Sequence, residues 1–176
     1  MNLPWNTTVT DWNADEAILV RGRYGVIEAA AGGVTAVHLR PLAKLLSWPE
    51  VWPVGPLYHA RGANDQCWLY YNQPRRFPRF LALKYMISTA GASMATCRAA
   101  LASLDAIAEL KGVDALLCDV SNRRVSDRLL RRCGWEPHKP QRWHRNFIKR
   151  FYGEYPSQAP PGRSSLDVAR RTRATC

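Results

Sequence analysis

Residues 80–120 read FLALKYMISTAGASMATCRAALASLDAIAELKGVDALLCDV, and this stretch decides the fold. Within it Met94, Cys97, Leu101, Leu104, Ile107 and Leu110 recur at helical spacing. Ser93 is placed to cap the first turn, Lys111 puts a positive charge at the C-terminal end, and Gly112 closes the helix. Apolar runs of strand length lie on either side, Phe80–Ile87 and Val113–Val120. Two such strands joined by a helix of about nineteen residues form a βαβ crossover, so the strands are predicted to be parallel and adjacent.

Downstream, Ser121 or Asn122 can cap a second helix with Val125, Leu129, Leu130 and Cys133 on its inner face, stopped by Gly134 and kept from resuming by Pro137. The aromatic, β-favouring run Trp143–Tyr152 supplies a last strand. Upstream, the chain reads mainly as β. Strands are expected at Ala17–Gly22, at Val26–Ala30 and Val34–Leu39 as a hairpin about an Ala-Gly-Gly turn, at Leu57–Ala60 and at Cys67–Tyr71, with a short helix at Pro41–Trp48. The class is therefore α/β, with a core expected at Leu101, Leu104, Ile107, Leu116, Leu117, Leu129 and Trp135. Residues 1–152 are expected to form one domain and 153–176, rich in Pro, Ser, Gly and Arg, a flexible tail.

Composition narrows the function. Of the 176 residues 47% are apolar and 22% charged, enough to build a core. No apolar run approaches ~18 residues, and MNLPWNTT lacks a basic-then-apolar leader, so neither a membrane span nor a secretory signal is expected. The five cysteines are scattered and form no CxxC pair, which suits a reduced, cytoplasmic protein. Of the net charge of +11, residues 121–150 carry +8. The block Arg123–Arg150 can therefore attract a phosphorylated ligand, a nucleic acid or another anionic partner, or form a solvated face. Arg142-Trp143-His144-Arg145 interleaves rings and cations in a manner that can stack bases. Cys133, His138 and His144 are zinc-ligand types without a fourth partner nearby, so no metal is expected. The sequence contains no GxSxG, HExxH or GxxxxGK[ST].

The strand–helix–strand–helix–strand order, with DALLCDVSNRRVSDRLLRRCGWEPH at residues 114–138, resembles the GNAT N-acetyltransferase superfamily. The resemblance implies a GNAT-like mixed sheet flanked by helices, acetyl-CoA or another acyl-CoA as co-substrate, and a small-molecule or peptide amine as acceptor. It implies that Asn122 matches the Asn common after the second strand of the crossover, Ser126 the small residue at the start of the next helix, and Gly134-Trp135 the Gly-aromatic pair. It places the cofactor against Ile87, Ser88, Gly91, Ala92, Ser93, Ala95, Thr96, Cys97, Asn122 and Ser126. A pyrophosphate would meet backbone N–H groups at the helix N-terminus there. The loop departs from the family's Arg/Gln-x-x-Gly-x-Gly/Ala pattern, and Leu130 stands where many members carry a Tyr acid. Tyr85, Tyr152, His138 and His144 are the candidate substitutes. Two functions are thus expected: an N-acyltransferase, or a GNAT-like module that has lost catalysis and binds RNA or another anionic partner.

Overall fold

The computed structural model describes residues 7–42, 64–120, 126–139 and 145–156. Among these residues the elements succeed one another as β1 (Thr7–Val9), α1 (Glu16–Arg21), β2 (Tyr24–Ala30), β3 (Gly33–Arg40), β4 (Gln66–Asn72), β5 (Phe80–Ser88), α2 (Met94–Leu110), β6 (Ala115–Asp119), α3 (Asp127–Arg132), β7 (Glu136–Pro137) and β8 (Asn146–Arg150). The strands form one eight-stranded mixed sheet in the order β1-β3-β2-β4-β5-β6-β8-β7. β5 and β6 are parallel and adjacent, as the crossover requires, and the other pairings are antiparallel. No helix among the described residues is long and apolar enough to cross a membrane.

Alternation along the strands builds the core. Ile27 and Ala29, Val37 and Leu39, Cys67, Leu69 and Tyr71, and Leu81 point to one face, where α2 covers them with Ala100, Leu104, Ile107 and Ala108. Gly25 allows the buried Tyr71 ring to cross β2, since a Cβ there would lie 2.6 Å from that ring. The β2–β3 turn places both central residues in the left-handed region, Ala31 at φ 50° and Gly32 at φ 79°, as a tight hairpin requires.

Several expectations are corrected. Ala17–Gly22 is helical. Asp11 Oδ1 accepts the Asn13 and Ala14 N–H groups ahead of α1, Lys111 Nζ donates to the Val20 and Gly22 carbonyls at its end, and only Leu19 is buried. Six residues give too short a window for period to separate helix from strand. The second helix is capped by Ser126, whose Oγ accepts from Leu129 N at 3.2 Å, and not by Ser121 or Asn122; those two and Val125 lie outside the described residues. Leu101, Leu117 and Leu129 are half-buried rather than core. Leu117 points to the face opposite Leu116, and α3 buries no residue fully. β7 was unforeseen. The expected elements Pro41–Trp48 and Leu57–Ala60 fall wholly or mainly outside the described residues, as do Trp143 and His144.

Beneath α2, Lys149 Nζ of β8 meets Asp105 Oδ2 at 2.7 Å, with side chains only 13% and 11% exposed. Burial raises the Asp105 carboxyl, and Lys149 works against that rise. The Tyr155 hydroxyl donates to Val113 O at 2.8 Å, tying the chain after β8 to the segment that leads into β6. Lys149→Met should lower stability by about 3 kcal/mol, because it strands a buried carboxylate. Asp105→Leu together with Lys149→Met should recover most of that loss in urea unfolding. Additive losses from the two changes would contradict a coupled pair.

Candidate functional site

The parallel pairing of β5 with β6 is short. It runs from Phe80↔Ala115 to Leu83↔Cys118 and stops. β4 passes from Tyr71↔Leu83 to Tyr70↔Tyr85, which leaves Lys84 as an extra residue, a bulge that bends β5. From there β5 follows β4 to Ser88, while β6 follows β8 to Asp119↔Asn146. The two strands therefore part at their C-terminal ends, the place where open α/β sheets bind ligands. Tyr85 stands just past the bulge, half-buried and stacked on Tyr70 with ring centroids 4.1 Å apart.

The turn into α2 closes this end of β5. Ile87 and Ser88 are half-buried and lead to Thr89, whose hydroxyl donates to the Asn64 carbonyl and accepts from Gln66 N. Ala92 N donates to Thr89 O at 3.1 Å, making a tight turn that leaves Ala90 and Gly91 exposed. Ser93 caps α2 by accepting from Thr96 N at 3.1 Å. Ala95 is exposed, Cys97 half-buried and Thr96 fully buried, its Oγ1 accepting from Gly32 N at 2.8 Å.

Asp65, which sequence reasoning missed, completes this site. Its carboxylate accepts from Ser93 N at 2.7 Å and from Ser93 Oγ at 2.9 Å. The Thr96 hydroxyl, and then the Ser93 amide, hold its carboxyl below the usual range. An anion of the chain's own thus already sits at the positive end of the α2 dipole. Met94 and Ala95 N–H remain the unclaimed first-turn donors among the described residues. No local motif signals this arrangement, because the carboxylate comes from a loop 28 residues earlier.

The remaining candidates scatter. Ser126 is exposed and serves as the α3 cap, while Asn122 lies outside the described residues. Leu130 packs against the core edge. Tyr152 is 82% exposed. His138 uses its backbone N–H on Asn146 O at 2.8 Å. In the basic block, Arg145 bonds Asp127, Arg150 bonds Glu136 and Lys149 bonds Asp105, whereas Arg128, Arg131 and Arg132 line one shallow groove of about 520 Å³ beside Asp127.

A further missed constellation runs across β1, β3 and β2: Thr8 Oγ1 lies 3.0 Å from His38 Nδ1, and His38 Nε2 lies 3.1 Å from Glu28 Oε2. It has the connectivity of a base held by an acid. β3 is three strand spacings from β5, about 14 Å, so this His is too far from the parting of β5 and β6 to act there directly.

No family model matches the sequence, and no curated protein matches it. A solved structure of a nourseothricin acetyltransferase is similar at 15% identity and TM-score 0.42, over 82% of this chain and 98% of that one. A likeness of that degree supports no inference about activity.

Ser93→Ala should cost about 1 kcal/mol, the value of a lost N-cap. The depressed Asp65 carboxyl stabilises the fold above its unfolded value of about 3.9, and that contribution is lost as pH falls through the folded value. Asp65→Asn should therefore lower the thermal midpoint at pH 7, with the gap to the parent closing as pH falls below that unfolded value and through the lowered folded one. A gap of constant size across that range would contradict the assignment.

Proposed function

We propose that this protein transfers an acyl group from an acyl-CoA to an amine. The observation that carries the reading is the parting of β5 from β6 at the end of β5 from which the chain turns into α2. Strand ends that diverge beside a helix N-terminus suit an elongated ligand with an anionic end. The pantetheine arm would run past Ile87 and Ser88. The exposed turn at Gly91, with the small side chains of Ala92, Ser93 and Ala95, would let phosphate oxygens approach the Met94 and Ala95 amides. Asn122 and Ser126 would border the opposite wall.

The thioester supplies an activated carbonyl that a neutral amine can attack. The chain's part is to hold the two in line and to exclude water. Leu130 can give no proton to the departing thiolate, and Tyr85 is the candidate phenol on β5 itself. The fit at the anionic end is partial, because Asp65 holds Ser93 N–H and opposes a second negative charge. That opposition, with the exposed row Arg128, Arg131 and Arg132, favours a second reading, a GNAT-like module that binds RNA through α3.

Calorimetry separates the two. Acetyl-CoA and CoA should bind; Gly91→Leu or Ala92→Leu should weaken that binding at least tenfold with the fold intact, and Asp65→Asn should strengthen it a few-fold. No binding of acetyl-CoA, together with salt-dependent RNA binding that Arg128, Arg131 and Arg132→Gln abolish, would establish the second reading instead.

A further inference from the structure

On the sheet face opposite α2, Thr8, His38 and Glu28 form an ordered chain that the acyltransfer reading does not use. These residues alternate along their strands with Val9, Ile27, Val37 and Leu39, which belong to the core that α2 covers. Strand pairing sets Thr8 directly opposite His38, and sets Val26, two residues before Glu28, opposite the same histidine. The Thr35 hydroxyl donates to Glu28 O at 3.1 Å and fixes that residue across the hairpin. The chain is therefore held by the adjacent strands β1, β3 and β2 rather than by loops.

The direction of each hydrogen bond follows from the groups that make it. A carboxylate only accepts, so Glu28 Oε2, 3.1 Å from His38 Nε2, requires the ring proton on that nitrogen. Nδ1 of the neutral ring then carries a lone pair, and the Thr8 hydroxyl, 3.0 Å away, donates to it. The His38 and Glu28 side chains are only 23% and 29% exposed, whereas Thr8 is exposed. The base and its acid are thus shielded, while the hydroxyl that donates to the base faces solvent. β1 lies at the edge of the sheet, which leaves an approach to Thr8 open. A hydroxyl bonded to an imidazole that a third group orients is the arrangement of an activated nucleophile.

We propose that Thr8 is the nucleophile of a second, hydrolytic site that acts on small activated acyl esters, with His38 as general base and Glu28 as the positioning residue. Thr8 Oγ1 attacks the ester carbonyl as its proton passes to His38 Nδ1. Collapse of the tetrahedral intermediate breaks the bond to the leaving oxygen, which takes that proton from the imidazolium and departs as the alcohol. Water then gives a proton to the same Nδ1 and attacks the Thr8 ester. Collapse returns the proton to Thr8 and frees the carboxylic acid. The sum is ester plus water giving acid plus alcohol.

The test is reaction of the folded protein with p-nitrophenyl acetate, quenched in acid for peptide mass mapping. One acetyl group on Thr8 is expected, with continuing release of p-nitrophenolate. His38→Gln should slow Thr8 acetylation about a hundredfold, the scale of general-base assistance, and Thr8→Ser should retain the reaction. Glu28→Gln should slow it to a smaller extent. Nitrogen NMR of the neutral His38 ring should place its proton on Nε2 in the parent, and Glu28→Gln should weaken that preference. Circular dichroism accompanies the variants, and the parent's peptide map and ring tautomer decide the matter if one unfolds. Acetylation confined to lysine or cysteine side chains, Thr8 acetylation unchanged in His38→Gln, or a ring proton held on Nδ1 would overturn the proposal. Acetyl-CoA binding is read separately by calorimetry, so neither result decides the other.

Discussion

The Asp65 carboxylate at the head of α2 is the contact on which the functional end of this molecule depends. Through its backbone carbonyl Asp65 accepts from Ala31 N in the hairpin turn, and through its side chain it binds Ser93 twice. Thr96 adds the bond from Gly32 N. The β2–β3 turn, the start of β4 and the first turn of α2 are thereby joined at one point. Each neutral bond contributes only about 1 kcal/mol net, and bonds to the charged carboxylate about twice that. Their larger effect is geometric, because they fix where the helix begins.

That starting point governs what the sheet can expose. α2 lies over β2, β3 and β4. The bulge at Lys84 then turns β5 toward β4, and β6 stays with β8, so the sheet opens between the parallel strands β5 and β6. On the far side of the opening, the buried Lys149–Asp105 pair holds β8 beneath α2. Asp65 exacts a cost for the order it brings: the dipole that would attract a phosphate is already partly compensated.

How much of this was legible depended on sequence distance. The α2 periodicity spans Met94–Leu110 and is long enough to read, as are the flanking apolar strands and the Ala-Gly-Gly hairpin. α1 was misread because its six residues EAILVR suit a strand as well as a helix, and its ends are fixed by Asp11 and by the distant Lys111. The α3 start was misplaced because several residues after β6 are of capping type and only the fold selects Ser126. At the candidate site, the small residues from Ala90 to Ala95 were visible. Asp65 and the Glu28–His38–Thr8 chain were not, since each meets its partner through strand pairing or helix docking rather than local spacing.

The central claim is that the parting of β5 and β6, at the end of β5 that leads into α2, is a ligand cleft. Backbone amide hydrogen exchange, with and without saturating acetyl-CoA, tests it most directly. Slowed exchange confined to Lys84–Ser88 and Gly91–Cys97 is the predicted result, because these backbones border the opening. Unchanged exchange at both segments, or slowing only at Asp127–Arg132, would contradict it.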